Sequence, residues 1–307
     1  MAFQRKLIRL SLSIIKPFTK IVSLKTKRIV HSMIGKTLAR PYKKTVYYKA
    51  IINKAFQAEW IFPNNTLYEG VILYLHGGGF VAGDIKYAKG YGTMLASKNK
   101  IKVLAVAYKL APEFPFPNAL EDAVNAYKYL LGEGFDNQKI IVCGESSGGG
   151  LSFSLCDKLI KENIALPGGI IALSPWTDLT MTAKSYIINK KSDPSMLESV
   201  LLKYTKLYTN IENIDNPLVS PKNTNFTGFP KSLIFVGGDE ILLDDSITIH
   251  ENLIKHNCLS ELIITPKMWH VYLLYGLKEN EKDNKKIYQF ISEVQYGTEK
   301  LKMDEIR

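Results

Sequence analysis

Short apolar runs alternate with amphipathic stretches over most of the chain. Val71–Leu75 and Lys139–Cys143 are apolar and rich in β-branched residues, which predicts strands buried on both faces. The second run is followed at helical spacing by Leu151, Leu155 and Leu159. This alternation of buried strands with helices predicts an α/β protein.

The apolar pattern has a period of two near the N-terminus and returns to short buried runs near the C-terminus. Thr45–Ile51 and Ala55–Phe62 are predicted strands that form an antiparallel start to the sheet. Leu233–Val236 and Leu262–Thr265 are later strands, and Lys285–Val294 has the spacing of a closing helix. One α/β domain with an accessory lid accounts for the 307 residues better than two separate domains.

The first residues predict an amphipathic helix that ends or is kinked before Pro17. Its basic residues lie off an apolar stripe formed by Phe3, Leu7, Leu10 and Ile14. A second such segment is predicted over Thr19–Ile34. No apolar run here is long enough for a signal peptide or a membrane span. Two interpretations stay open: a lid packed over the active site, or an interfacial helix lying on anionic lipid.

The charge distribution favours a surface-binding or lid segment at the N-terminus. The chain has a net charge of +11, and residues 1–60 hold fourteen basic residues and one acid, Glu59. The rest of the chain holds 26 basic and 28 acidic residues. This asymmetry argues against a nucleic-acid enzyme with a basic active site. It is compatible with peripheral contact between residues 1–40 and an anionic membrane.

The cysteines favour a reducing compartment. Cys143, Cys156 and Cys258 are odd in number and lack the spacing of metal ligands. Core packing is the simpler role for the first two, because they lie on the predicted strand and helix around residue 146. The sequence therefore predicts a cytoplasmic protein, with membrane-peripheral attachment as an option, and leaves the oligomeric state open, a dimer included.

A serine lies at the sharp turn between the predicted strand and the helix that follows it. Gly144–Gly148 reads Gly-Glu-Ser-Ser-Gly and fits the pattern G-x-S-x-G. A strained strand–helix turn of this kind exposes the serine hydroxyl, which makes Ser146 a candidate nucleophile. A glycine-rich turn with an unimportant serine would have the same local sequence.

A second glycine-rich loop follows the predicted strand Val71–Leu75. Gly77, Gly78 and Gly79 stand between His76 and Phe80. Successive glycines allow backbone N–H groups to turn towards one point, as an oxygen that gains negative charge requires. A flexible loop is the competing interpretation.

Several motifs in unbroken order resemble the hormone-sensitive-lipase-like branch of the α/β-hydrolases. They are His76–Phe80, Tyr108–Glu113, Phe116-Pro117, Ala119–Asp122, Gly144–Gly149, Ser174–Leu179 and Asn216–Pro221. The resemblance implies a mostly parallel eight-stranded sheet with helices on both faces and a helical cap. It covers about Glu59 to Gly276, and residues 1–44 carry no recognisable family motif. Lys109, Glu145 and Ser147 depart from the usual arginine, aspartate and alanine.

The resemblance also divides the chain. It implies an α/β-hydrolase domain over residues 45–307 with a cap insertion at about 183–212. The basic N-terminal helices of residues 1–44 would be part of the cap or a membrane-surface segment.

A catalytic serine needs a base and an orienting carboxylate, and in this fold the chain order is serine, acid, histidine. His270 is the predicted base, because it follows the strand Leu262–Thr265 in a loop similar to the family's histidine loop. Asp239 follows the strand Leu233–Val236 and is the predicted acid, with Glu240 as the alternative. The predicted oxyanion donors are the N–H groups of Gly77, Gly78 and Ser147.

The predicted function is a serine carboxylic-ester hydrolase that works through an acyl-enzyme. By similarity to the family, small uncharged esters of short-to-medium acyl length are the expected substrates. Phe80 and Trp176 are candidate acyl-pocket walls, for which a core role is the simpler interpretation. No metal, organic cofactor or nucleic acid is expected. The alternatives are a lactone, carbamate or amide hydrolase with the same triad, or a non-catalytic ligand-binding member of the fold.

Overall fold

Eight strands form one sheet in the computed structural model, which describes residues 2–42 and 44–297. The sheet order is β1-β2-β4-β3-β5-β6-β7-β8, and all pairings are parallel except β1–β2 and β2–β4. The strands are β1 (Val46–Ile52), β2 (Phe56–Phe62), β3 (Val71–Leu75), β4 (Lys102–Ala107), β5 (Ile140–Glu145), β6 (Gly169–Leu173), β7 (Ser232–Gly237) and β8 (Ser260–Thr265). The predicted mostly parallel, eight-stranded sheet is confirmed; the end of the predicted domain at residue 307 lies outside the described residues.

Helices cover both faces of the sheet, as predicted. They are α1 (Ala2–Ile15), α2 (Leu24–Ala39), α3 (Ile85–Asn99), α4 (Asn118–Gly132), α5 (Ser147–Lys161), α6 (Ser185–Ile188), α7 (Glu198–Tyr208), α8 (Leu243–Lys255) and α9 (Glu281–Tyr296). Strand β3 shows why two layers are needed. Val71, Leu73 and Leu75 belong to one apolar cluster, and Ile72 and Tyr74 belong to a second cluster on the opposite face. Side chains alternate between faces along a strand, so a strand that is apolar throughout must be covered twice.

The segment between β6 and β7 contains α6 and α7, within the range predicted as the cap. Leu201 and Tyr208 of α7 are buried in the same apolar cluster as the residues of α4 and α5. A short 3₁₀ turn, Ile211–Asn213, follows α7 before the chain returns to β7. Helix α7 therefore packs into the apolar layer to which α4 and α5 contribute.

The N-terminal segment consists of α1, a 3₁₀ turn over Lys16–Lys20, and α2. Helix α1 ends before Pro17, as predicted. Helix α2 begins later than predicted, because the Ser23 side chain accepts a hydrogen bond from the Thr26 N–H and caps the helix there. None of the helices in the described part of the chain has the length and apolar content needed to cross a membrane.

Candidate active site

The turn between β5 and α5 holds Ser146 in a strained backbone conformation. Its φ of 54° and ψ of −123° are unusual for a residue with a side chain. The flanking glycines make the turn possible. A Cβ on Gly144 would lie 2.2 Å from the Gly148 carbonyl oxygen, and one on Gly148 would lie 2.1 Å from the Leu75 carbonyl oxygen. This is the strand–turn–helix geometry that the motif requires, and it leaves Ser146 7% exposed.

His270 follows β8 and is paired with a buried carboxylate. Its Nδ1 lies 2.8 Å from Oε2 of Glu240, whose side chain is fully buried. The other carboxylate oxygen of Glu240 accepts hydrogen bonds from the Gly237 N–H at 2.5 Å and the Ser174 hydroxyl at 2.8 Å. Donors on both oxygens fix the carboxylate in place. Because a carboxylate accepts hydrogen bonds, Nδ1 is the ring nitrogen that carries the proton and donates the hydrogen bond to Glu240. In the neutral ring Nε2 then has no proton.

The predicted acid, Asp239, lies against a different partner. Its Oδ2 is 2.8 Å from Nη2 of Arg9, and its side chain is 26% exposed. The Asp239 N–H donates to the Met268 carbonyl oxygen, so the backbone at this residue is tied to the histidine loop while its side chain faces α1. The prediction that Asp239 contacts His270 is wrong. The alternative acid, Glu240, is the residue that the structure brings to the imidazole.

A series of contacts connects the serine turn to the histidine loop. The Ser146 N–H donates to the Leu173 carbonyl oxygen at the end of β6. The next residue, Ser174, donates its hydroxyl to Glu240 and accepts a hydrogen bond from the Val271 N–H at 3.0 Å. The carboxyl ends of β5, β6, β7 and β8 thus meet at one edge of the sheet. The sequence places Ser174 in a family motif but does not indicate this bridging role.

The two other histidines downstream of Ser146 have partners of their own. His250 Nδ1 lies 2.9 Å from the Ser260 hydroxyl, and His256 Nδ1 lies 2.7 Å from the Asn252 carbonyl oxygen. His250 is on α8 and His256 is the residue that ends it. Neither has a carboxylate partner in the described part of the chain.

The glycine loop has one of its predicted donors occupied. The Gly77 N–H donates to Oε1 of Glu145 at 2.6 Å, so the prediction that this amide is an oxyanion donor is wrong. The N–H groups of Gly78 and Ser147 have no acceptor within residues 2–42 and 44–297. Gly78 has a φ of +123°, and a Cβ there would lie 2.1 Å from the Ala82 carbonyl oxygen. Two of the three predicted donors therefore remain free.

The Ser147 side chain has a use that its motif did not indicate. Its hydroxyl oxygen accepts hydrogen bonds from the Gly79 N–H at 2.9 Å and the Phe80 N–H at 3.3 Å. The family's usual alanine could not make these bonds. The hydroxyl joins the start of α5 to the far end of the glycine loop.

Glu145, the residue before Ser146, is hydrogen-bonded to the same loop. Its buried carboxyl group accepts hydrogen bonds from the hydroxyls of Tyr74 and Tyr87 as well as from the Gly77 N–H. Burial raises the pKa of Glu145 to about 7, although these hydrogen bonds act in the opposite direction. The hydrogen bond from the Gly77 N–H to Glu145 fixes the position of the glycine loop beside Ser146.

His76 is a structural histidine. Burial lowers its pKa to about 4, so the ring is neutral at physiological pH. Its Nδ1 lies 2.7 Å from the Gly77 carbonyl oxygen, and the ring is stacked on Tyr108 with centroids 4.3 Å apart. These contacts fix the beginning of the glycine loop.

Phe80 and Trp176 lie in the core beside helix α7. Phe80 is 3% exposed and is stacked on Tyr208 with ring centroids 3.9 Å apart. Trp176 is fully buried, 6.1 Å from Phe80 by the same measure, and its indole N–H donates to the Asp178 carbonyl oxygen. The structural role expected of both residues is therefore observed. Their predicted role as pocket walls stays a proposal.

Helix α1 is attached to three loops around the site through Arg9. Besides its ion pair with Asp239, the Arg9 guanidinium donates to the Lys267 carbonyl oxygen at 3.1 Å and the Ser192 carbonyl oxygen at 2.6 Å. The three loops that contain Asp239, Lys267 and Ser192 are thus all bound to the same guanidinium group. This placement is what the lid interpretation of α1 requires.

The described residues offer no cluster of three or more His, Cys, Asp or Glu side chains that could hold a metal ion. The three cysteines are buried and free.

Comparison with known proteins identifies the class and the family. Residues 72–274 match the Abhydrolase_3 family, described as having the alpha/beta hydrolase fold. An esterase of Acinetobacter venetianus is 33% identical over 207 residues, which are 67% of this chain and 68% of that protein. An acetyl-hydrolase of Streptomyces hygroscopicus is 32% identical over 219 residues, 71% and 73% of the two chains. The crystal structure of an esterase from the bacterial hormone-sensitive lipase family is similar with a TM-score of 0.83 at 31% identity, covering 90% of this chain and 93% of that one.

These matches define a hydrolase of the carboxylesterase and lipase type. The chain belongs to the hormone-sensitive-lipase-like family of α/β-hydrolases.

Proposed function

We propose that the protein hydrolyses carboxylic esters through an acyl-enzyme formed on Ser146. The observation that carries the proposal is the buried His270–Glu240 pair at the edge of the sheet where the strained turn presents Ser146. A serine hydroxyl is a weak nucleophile at neutral pH and becomes effective when an oriented imidazole removes its proton.

In the first step His270 acts as the base. Because Glu240 holds the proton on Nδ1, Nε2 is the basic nitrogen that accepts the Ser146 proton. The serine oxygen forms a bond to the ester carbonyl carbon, and the carbonyl oxygen becomes an oxyanion. The negative carboxylate of Glu240 stabilises the imidazolium that results.

The oxyanion would be bound by the free N–H groups of Gly78 and Ser147. Each donor contributes about 3 kcal/mol of transition-state stabilisation in sites of this kind. Glu145, through Gly77, and the Ser147 hydroxyl, through Gly79, keep the loop in position before the substrate arrives. Such preorganisation is what makes backbone donors effective.

The remaining steps return the enzyme to its starting state. His270 gives its proton to the leaving alkoxide as the bond to the acyl group breaks, and the alcohol departs. Water then loses a proton to His270 as its oxygen bonds to the acyl carbon. The bond from that carbon to the Ser146 oxygen breaks, His270 returns the proton to this oxygen, and the carboxylic acid departs. Every proton transfer in this cycle uses residues of the chain.

Short-to-medium acyl groups are the proposed substrates. The cap helix α7 is close to the glycine loop, since a Cβ on Gly79 would lie 2.3 Å from the Tyr204 ring. Phe80 and Trp176 would close the acyl side of the pocket behind it. The acetyl-hydrolase name of the Streptomyces hygroscopicus relative supports the same range.

Hydrolysis of a series of p-nitrophenyl esters of increasing acyl length tests this proposal. We expect the highest kcat/KM between acetate and hexanoate, a fall of about tenfold or more for long chains, and loss of turnover in Ser146→Ala. A preference for long-chain triglycerides would contradict the acyl range. A lactone, carbamate or amide preferred over every ester would contradict the ester assignment, and tight ester binding without turnover would favour a non-catalytic role.

A further inference from the structure

Helix α1 is docked on the protein in an unexpected orientation. Its side chains Ile8 and Leu12 pack against the apolar core, and Arg9 binds the loops around the site. The inward face therefore combines two partly buried aliphatic residues with a partly exposed ion pair. The continuous apolar stripe seen in the sequence is on the opposite side.

That stripe is exposed. Phe3, Leu7, Leu10 and Ile14 are 76%, 54%, 58% and 59% exposed, and we call these four residues the outer apolar face. The turn after the helix continues in the same way, with Phe18 at 56% and Ile21 at 80%. Single exposed apolar residues are ordinary on protein surfaces, but a full stripe on one helix indicates an interaction surface.

Helix α2 has a comparable surface. Ile29, Val30, Met33 and Ile34 are between 44% and 61% exposed. Val30, Met33 and Ile34, with Thr37 and Leu38, line a shallow groove of about 310 Å³. Both N-terminal helices therefore direct apolar side chains to solvent while their other sides are packed.

The charge around these helices indicates what covers them. No acidic residue precedes Glu59, and Lys6, Lys20, Lys25 and Lys36 are exposed among the apolar side chains. A second copy of the chain would bring two positively charged segments together. A surface of anionic lipid headgroups instead supplies opposite charge next to an apolar layer, the combination that basic amphipathic helices bind.

We propose that the outer apolar face rests on an anionic lipid surface, with α1 lying in the plane of the headgroups. Its apolar side chains enter the acyl boundary by roughly 5–10 Å, and the lysines reach the headgroups. Because Arg9 ties the inward side of α1 to the loops of the site, docking would hold the active site next to the membrane surface. This inference does not depend on the ester-hydrolase mechanism.

Vesicle sedimentation with the full chain tests the inference. The vesicles contain phosphatidylglycerol and phosphatidylcholine in equal parts, or phosphatidylcholine alone. We expect binding to the anionic vesicles, a loss of about tenfold or more in the triple variant Leu7→Gln, Leu10→Gln, Ile14→Gln, and weaker binding when salt is raised from about 0.1 M to about 0.5 M.

The matched control removes three exposed aliphatic side chains elsewhere, in the triple variant Ile187→Gln, Ile211→Gln, Leu259→Gln. These residues are 77%, 79% and 74% exposed. The control should bind vesicles as the unaltered chain does, and the urea unfolding transition of each variant, measured without vesicles, reports whether it is folded. Equal vesicle binding by both triple variants, or no binding to anionic vesicles by the unaltered chain, would overturn the proposal. A dimer in solution that dissociates in the Leu7, Leu10, Ile14 variant would assign the face to a second copy instead and would also overturn it.

Discussion

Asp239 and Glu240 are adjacent in the chain, and their carboxylates nevertheless have separate partners. Both follow β7, so the sequence places an acid at the correct edge of the sheet without deciding which one meets the histidine. Which carboxylate meets the histidine depends on the backbone conformation of the turn and on Arg9, a residue near the N-terminus that forms an ion pair with Asp239. The sequence around residues 239 and 240 shows neither the conformation nor this partner.

The same limit applies to Gly77. The glycine run and the resemblance predict amide donors in this loop, and Gly78 is free to act as one. The Gly77 amide is occupied by Glu145, a residue of another strand whose buried carboxyl needs donors. The sequence shows that Glu145 stands where the family usually has an aspartate, but it does not show that Glu145 binds the Gly77 amide.

Asp245 gives a prediction about pH and stability. Burial, and to a lesser extent the charge of Asp178, raises the pKa of Asp245 to about 8. The folded protein therefore keeps a proton that the unfolded chain releases from about pH 4, so this group makes stability fall as the pH rises towards about 8. We expect Asp245→Asn to gain about 1 kcal/mol or more in stability relative to the unaltered chain between about pH 5 and pH 8.

Urea unfolding of both proteins at the two pH values measures this difference, since contributions of other groups cancel. The amide oxygen of the variant can still accept the hydrogen bonds that Asp245 accepts from the N–H groups of Thr177 and Asp178. An equal stability difference at both pH values would contradict the raised pKa.

At the scale of elements, α2 shows what periodicity can and cannot predict. The amphipathic pattern predicts a helix in this region, and Ser23 sets where it starts. Its packing against α3 depends on Gly35 and Gly90, which allow the two backbones to meet. A Cβ on Gly35 would lie 2.2 Å from the Lys86 carbonyl oxygen, and one on Gly90 would lie 2.5 Å from the Gly35 carbonyl oxygen.

We therefore expect Gly35→Ala to destabilise the protein by about 2 kcal/mol or more, because backbone atoms must move to make room. Gly132→Ala is the matched control. Gly132 is also helical, and nothing lies within 4 Å of its Cβ position, so the same substitution should stabilise by up to about 1 kcal/mol. Denaturant unfolding measures both. Similar effects of the two substitutions would show that close packing of α2 on α3 contributes little.

At the scale of the whole molecule, the order of strands and helices could be predicted well. The buried strands are short, β-branched and bounded by glycine-rich loops, and the family resemblance supplies the sheet that joins them. The direction in which α1 faces could not be predicted. An apolar stripe indicates that one face of a helix is covered, but it does not identify what covers that face. In α1 the contacts of Arg9 hold the opposite side of the helix against the protein, so the stripe faces solvent.

The central claim is that Ser146 is the nucleophile and that His270, oriented by Glu240, is its base. Labelling with a fluorophosphonate probe tests it most directly, because the probe reacts with an activated serine. We predict rapid labelling of the unaltered chain and of Asp239→Asn, none of Ser146→Ala, and labelling slowed by about 10² or more in His270→Ala and Glu240→Gln. Labelling of Ser146→Ala at the unaltered rate, or an Asp239→Asn variant slowed as much as His270→Ala while Glu240→Gln reacts normally, would contradict the account.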